Sequence, residues 1–146
     1  VTAPRPFSLE RLLADVATAV GSQPAAAPTA APPGRVAPLD AAALTTGLAT
    51  LDPRWRIDIV LDPRRASGLE VALVAELRSA SYARAADLAH AVAGLAEAQD
   101  HHPTLVHARR TVTVRVTTGA GGGRLTARDL AFAQVVDDLA RELGAQ

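Results

Sequence analysis

Hydrophobic residues along this chain switch between two spacings, and the switches mark out its elements. In residues 7–20, FSLERLLADVATAV, Phe7, Leu9, Leu12, Leu13, Val16 and Val20 fall near one helical face, and Ser8 can cap it. The next stretch, GSQPAAAPTAAPPGRVAP, is rich in proline, alanine and glycine and has nothing to bury. The pattern therefore predicts an N-terminal amphipathic helix over residues 1–20, an Ala/Pro-rich linker over 21–38, and a compact domain over 39–146. The first helix is expected to be an appendage that docks a protein partner or packs back on the domain.

Within the domain, Asp40 is a good N-cap, and Leu44, Leu48 and Leu51 repeat helically until Pro53. WRIDIVLD then alternates, with Trp55, Ile57, Ile59 and Leu61 against Arg56 and Asp58. After the turn PRRASG, LEVALVAELR alternates again, with Leu69, Val71, Leu73 and Leu77 opposite Glu70 and Glu76. Two such strands predict a hairpin. Ser81 can cap a long helix whose buried stripe reads Tyr82, Ala85, Ala89, Val92, Ala93 and Ala96. A short strand follows around residues 105–108, and TVTVRVTT makes another, with Val112, Val114 and Val116 inward and Thr113 and Arg115 outward. GAGGGR reads as a loose turn. Thr126 and Asp129 open the last helix with capping-box spacing, and Leu130, Ala133, Val136, Leu139, Ala140 and Leu143 are its apolar residues.

The order α-β-β-α-β-β-α predicts an α+β fold, a four-stranded antiparallel sheet with helices packed on one face. The other face is expected to be solvated or used in self-association.

Composition narrows the function. The chain has 146 residues, enough for one domain with a substantial core. Fifteen acidic and fifteen basic residues give zero net charge, so there is no electrostatic case for nucleic acid or an anionic membrane surface. Absence of cysteine excludes disulfides, zinc–thiolate sites and thiol redox chemistry. Charges break the apolar runs before they could span a bilayer. The first residues, VTAPRPFSLE, lack a basic region followed by an apolar core, so no secretory signal is expected, and the reading is of a soluble cytoplasmic protein.

The candidate chemistry sits in EAQDHHPTL, residues 97–105, where the middle helix ends. Two adjacent histidines cannot share one regular face, and Pro103 fixes how the chain leaves. A pair of imidazoles suits proton transfer in both directions, one neutral as base and one charged as acid. Glu97 lies one helical turn before His101, within reach to orient it. An imidazolium at a helix C-terminus also simply complements the helix dipole, and spacing alone favours that reading. The spacings to His90 and His107 match no familiar metal motif, so no metal is expected.

From Leu39 to Leu143 the chain resembles the pterin-4a-carbinolamine dehydratase family. The likeness rests on Trp55, Tyr82, AEAQDHHP, the VTVRVTT strand and LTARD at the start of the last helix. It implies dehydration of a 4a-hydroxytetrahydropterin to the quinonoid dihydropterin. That reaction needs a proton on the departing hydroxyl and removal of one from a ring nitrogen, and it implies no metal or organic cofactor. By the same resemblance His101, His102 and Glu97 are the catalytic positions, Pro103, Thr117, Thr118 and Asp129 bind the pterin substrate, and the chain forms a homodimer or homotetramer. The sequence departs from the family at three places. Leu105 and Arg109 stand where aromatic residues are usual, and Thr118-Gly119 stands where the family places Thr-His. These departures leave two alternatives open: a catalytically degenerate dimerisation, assembly or partner-binding module, and a pocket retuned to another small heterocycle.

Overall fold

A computed structural model describes residues 37–118 and 122–146. The predicted helix over 1–20, nearly all of the linker, and the centre of the glycine-rich turn lie outside the described residues. Helix α1 spans Ala41–Leu48, strands β1 and β2 span Arg56–Leu61 and Leu69–Arg78, and helix α2 spans Tyr82–Ala98. Strands β3 and β4 span Thr104–Ala108 and Thr111–Val116, and helix α3 spans Ala127–Glu142. The strands form one antiparallel sheet in the order β1-β2-β4-β3. The fold is the predicted open α+β layer.

The caps follow from short polar side chains at the predicted places. Asp40 Oδ1 accepts from Ala43 N at 2.7 Å and Ser81 Oγ from Arg84 N at 3.1 Å. Helix α1 stops well before Pro53, because the Thr50 amide and hydroxyl both turn back onto the Gly47 carbonyl and Leu51 drops into the core. Pro38 bridges Thr126, so the chain entering α1 runs beside the start of α3.

Alternation decides the core. Leu73, Ala75 and Leu77 of β2 stand in register with Val116, Val114 and Val112 of β4, and these six, with Leu69 and Val71 of β2, are buried beneath the helices. Each such valine or leucine contributes about 1.5–3 kcal/mol by leaving water. The helical stripes differ in detail from the reading above. On α2 the buried residues are Ala85, Leu88, Val92 and Ala96, whereas Ala93 faces out and Tyr82 is 64% exposed. Tyr82 sits at the first position of the helix, where it lies against the His107 ring of edge strand β3 at 4.4 Å and stays open to water. On α3 Phe132 fills the centre, while Leu130 and Leu139 are half-buried and Leu143 is exposed. Leu61, placed inward by alternation, is 73% exposed because β1 is an edge strand and Leu61 ends it at the turn.

The opposite sheet face carries charge. Arg115 reaches Asp58 at 2.7 Å and Glu70 at 3.0 Å, and Arg65 joins Glu70 at 2.8 Å. Partial burial pushes the Glu70 carboxyl up, but the bonds from Arg65 and Arg115 outweigh it and hold the group below its ordinary value.

Beneath the helices, Asp137 is a buried carboxylate with two donors. Its Oδ1 accepts from the Trp55 indole nitrogen at 2.8 Å, and its Oδ2 from the Asp52 amide at 3.0 Å. Asp137→Ala leaves the buried indole N–H and the part-buried amide without an acceptor, so urea denaturation should show a loss of about 2–4 kcal/mol. Next to it, hydrogen bonds from the Arg54 side chain and amide hold the Asp52 carboxyl down to about 2. A depressed carboxylate stabilises the fold above its unfolded value near 4 and loses that contribution as pH falls toward 2. The Asp52 side chain is 38% exposed, so solvent screening limits the effect to about 1 kcal/mol or less. Relative to Asp52→Asn, the wild type should lose that margin in denaturation curves between pH 5 and pH 2.

Candidate active site

The geometry of the histidine pair begins with how α2 ends. Asp100 takes the left-handed conformation, φ 47°, which a short polar side chain tolerates better than most. The Asp100 amide donates to Glu97 O at 3.2 Å and the His101 amide to Ala96 O at 3.0 Å, the paired bonds of a Schellman motif. Arg128, in the first turn of α3, holds the turn that follows: its Nη2 donates to Gln99 O at 3.0 Å and Asp100 O at 2.8 Å.

This turn sends the two imidazoles to different places. His101 points inward and is only 7% exposed. Its Nε2 lies 2.8 Å from Asp129 Oδ1, and its ring stands edge-on to Phe132 with centroids 5.5 Å apart. Asp129 is fully buried. Its Oδ2 receives the Thr126 amide at 2.7 Å, closing the predicted capping box, and the Thr118 hydroxyl at 2.8 Å. The hydroxyls of Thr118 and Thr126 are themselves 2.8 Å apart. His102 faces water, with its side chain 57% exposed and its Nε2 3.1 Å from Glu97 Oε1. The Asp100 carboxylate lies 4.0 Å from His102 Nδ1.

Each histidine thus has its own carboxylate. Sequence spacing set Glu97 against His101. The left-handed residue at Asp100 instead brings Glu97 to His102 and gives His101 to Asp129, 28 residues further on. Of the other expected positions, Thr118 joins the buried network, and Pro103 is half-buried beside the pair. Thr117 turns to the sheet, where its hydroxyl donates to Val71 O at 2.8 Å. His107 lies apart, with Nε2 donating to Arg109 O at 3.1 Å, and His90 is exposed on α2. Sequence reasoning missed Phe132, Arg128 and the second role of Thr126. Phe132 follows Asp129 by three residues, which on a helix places both on one face, and that was the available signal. Nothing in the pattern marked Arg128. Among the described residues, no group of three or more His, Asp or Glu side chains could hold a metal ion. No helix among them is long and apolar enough to cross a membrane.

The family model described as pterin 4 alpha carbinolamine dehydratase matches residues 37–139, which is most of the chain and includes every site residue above. The chain belongs to that family. Dehydratase relatives match over shorter stretches. A protein of Aquifex aeolicus named "Putative pterin-4-alpha-carbinolamine dehydratase" is 44% identical over 54 residues, 37% of this chain and 54% of that one. Proteins of the same name are 40% identical over 65 residues in Nocardia farcinica, covering 44% of this chain and 67% of the relative, and 42% identical over 60 residues in Natronomonas pharaonis, covering 41% and 64%. The chain spans about half the length of the Aquifex relative. The fold is also that of a transcriptional coactivator/pterin dehydratase from Brucella melitensis, with TM-score 0.56 and 23% identity, over 70% of this chain and 98% of that one. Against the dehydratase pattern, Leu105 is half-buried on β3 and Arg109 occupies the β3–β4 turn with φ 55°. Position 119, where the dehydratases were expected to carry a histidine, lies outside the described residues.

Proposed function

We propose that this chain dehydrates a 4a-hydroxytetrahydropterin to the quinonoid dihydropterin. The observation that carries the proposal is the pair of consecutive imidazoles, each paired with a separate carboxylate, at 2.8 Å and 3.1 Å. The reaction moves two protons: one onto the departing hydroxyl, which leaves as water, and one off the ring nitrogen. Two imidazoles in unlike surroundings fit that division, because environment is what separates an acid from a base of the same chemical type. His102 stands in water beside Glu97 and can return a proton to solvent. His101 is dry and held from behind by Asp129. Asp129 and Thr118 are occupied within the protein, so in this proposal they act on the pterin through His101, and Pro103 shapes the rim. Membership of the family supports the same chemistry.

The direct test follows the absorbance of 4a-hydroxytetrahydropterin with and without the full chain. Faster loss of the 4a-hydroxy species with the chain supports the proposal. A rate equal to that in buffer, at a chain concentration that binds pterin, overturns it and points to a retuned or partner-binding member. That second reading takes its motive from the Brucella protein, named as both coactivator and dehydratase. Self-association as a dimer or tetramer belongs to either reading. The exposed Val60 and Val106 lie on the open sheet face, and sedimentation at increasing concentration would reveal it.

A further inference from the structure

We infer that Asp129, gripped by Thr118 and the Thr126 amide, locks His101 in the tautomer that carries hydrogen on Nε2, so that Nδ1 is its working nitrogen and Thr118 is a positioning residue. The catalytic part of this inference rests on the function proposed above; the tautomer does not.

The assignment follows from counting donors and acceptors. The Thr126 N–H can only donate, so Asp129 Oδ2 at 2.7 Å must accept. The Thr118 hydroxyl donates to the same oxygen at 2.8 Å, and the Thr126 hydroxyl can then donate to Thr118 across 2.8 Å. The Asp129 carboxylate thus receives an N–H and an O–H on one oxygen, in the first turn of a 16-residue helix, surroundings that complement its negative charge. Its other oxygen therefore has no hydrogen to give. His101 Nε2, 2.8 Å from that oxygen, must supply the hydrogen between them. A neutral imidazole has one N–H and one lone pair, so the lone pair is on Nδ1. The edge-on contact with Phe132 holds the ring plane, which fixes the direction in which that lone pair points.

Thr118 matters because of where it sits. It lies two residues past the end of β4, and its hydroxyl joins the sheet to the first turn of α3 through Asp129. It is buried, so no water replaces its bond. Without it, Asp129 Oδ2 keeps only Thr126, its amide at 2.7 Å and its hydroxyl at 3.4 Å, and the carboxylate is held less firmly toward His101. The step Thr118 serves is a proton moving onto or off His101 Nδ1 while Nε2–H stays bonded to Asp129; no other bond is made or broken by these residues.

The experiment is nitrogen-15 and proton NMR of the full chain labelled at histidine, at a pH where His101 is neutral. The expected spectrum has a protected Nε2–H proton on His101 and an Nδ1 signal at the position of an unprotonated nitrogen. Thr118→Val should weaken that protection and mix the tautomers, and Thr118→Ser should restore both. In the turnover assay Thr118→Val should lower kcat about 10-fold with KM little changed, as expected when a partner that fixes an imidazole is removed. An Nδ1–H signal for His101 in the wild type overturns the inference, and that measurement needs no variant to fold. A folded Thr118→Val chain with the wild-type tautomer and protection overturns the role of Thr118. A wild type with the expected tautomer but no turnover keeps the tautomer and removes the proposed dehydratase activity, so the two failures are distinct.

Discussion

Asp129→Ala is expected to be the most damaging single change in this chain, costing about 3–5 kcal/mol of stability, because it leaves several buried donors without an acceptor. Three groups lose their acceptor at once. The Thr126 amide loses the closing bond of the capping box, alone worth about 0.5–2 kcal/mol. The Thr118 hydroxyl and His101 Nε2 are left buried without an acceptor on residue 129, at about 1–3 kcal/mol for each unsatisfied donor. These losses overlap, because Thr118 and Thr126 can still bond each other across 2.8 Å, and so they do not simply add. Thermal or urea unfolding of Asp129→Ala beside Asp129→Asn checks the claim. The amide can keep an acceptor for Thr126 and should recover part of the loss. Equal stability of wild type and Asp129→Ala would show that the buried network contributes little.

His102→Ala should do the reverse: large in rate, small in stability. The side chain is more than half exposed, and its partners, Glu97 and the more distant Asp100, are exposed too, so the fold should change by no more than about 0.5 kcal/mol. Loss of a positioned acid or base typically costs about 100-fold to 10,000-fold in the chemical step. A folded His102→Ala chain with dehydratase turnover near wild type would remove His102 from the mechanism. Glu97→Gln should fall between, since it keeps a hydrogen-bonding group beside His102 without the charge.

Much of the fold was legible because its signals are local. Alternation of valine with threonine and arginine set β4, Ser81 and Asp40 started their helices, and Thr126 with Asp129 marked the first turn of α3. What was not legible depends on contacts distant in sequence or on the sign of one backbone angle. Tyr82 obeys the helical period but lies at the helix end over edge strand β3, where it stays exposed. Leu61 obeys the strand period on an edge strand that has run past its cover. At the site, His-His-Pro and Glu97 were visible as a motif, yet spacing along a regular helix assigned Glu97 to the wrong imidazole. Asp100 with positive φ leaves the helical path, and no periodicity carries across such a residue. The partnership of His101 with Asp129 spans β3 and β4, and only the folded sheet brings it about.

The Arg128 guanidinium has a consequence beyond capping. It bonds the carbonyls of Gln99 and Asp100, just past the end of α2, so lifting α3 away from the sheet breaks both bonds at that turn. Opening at Asp100 and His101 is therefore coupled to undocking of α3 instead of to fraying of α2. Hydrogen exchange at the His101 amide should then be far slower than its place at a helix terminus suggests, matching the amides in the middle of α3.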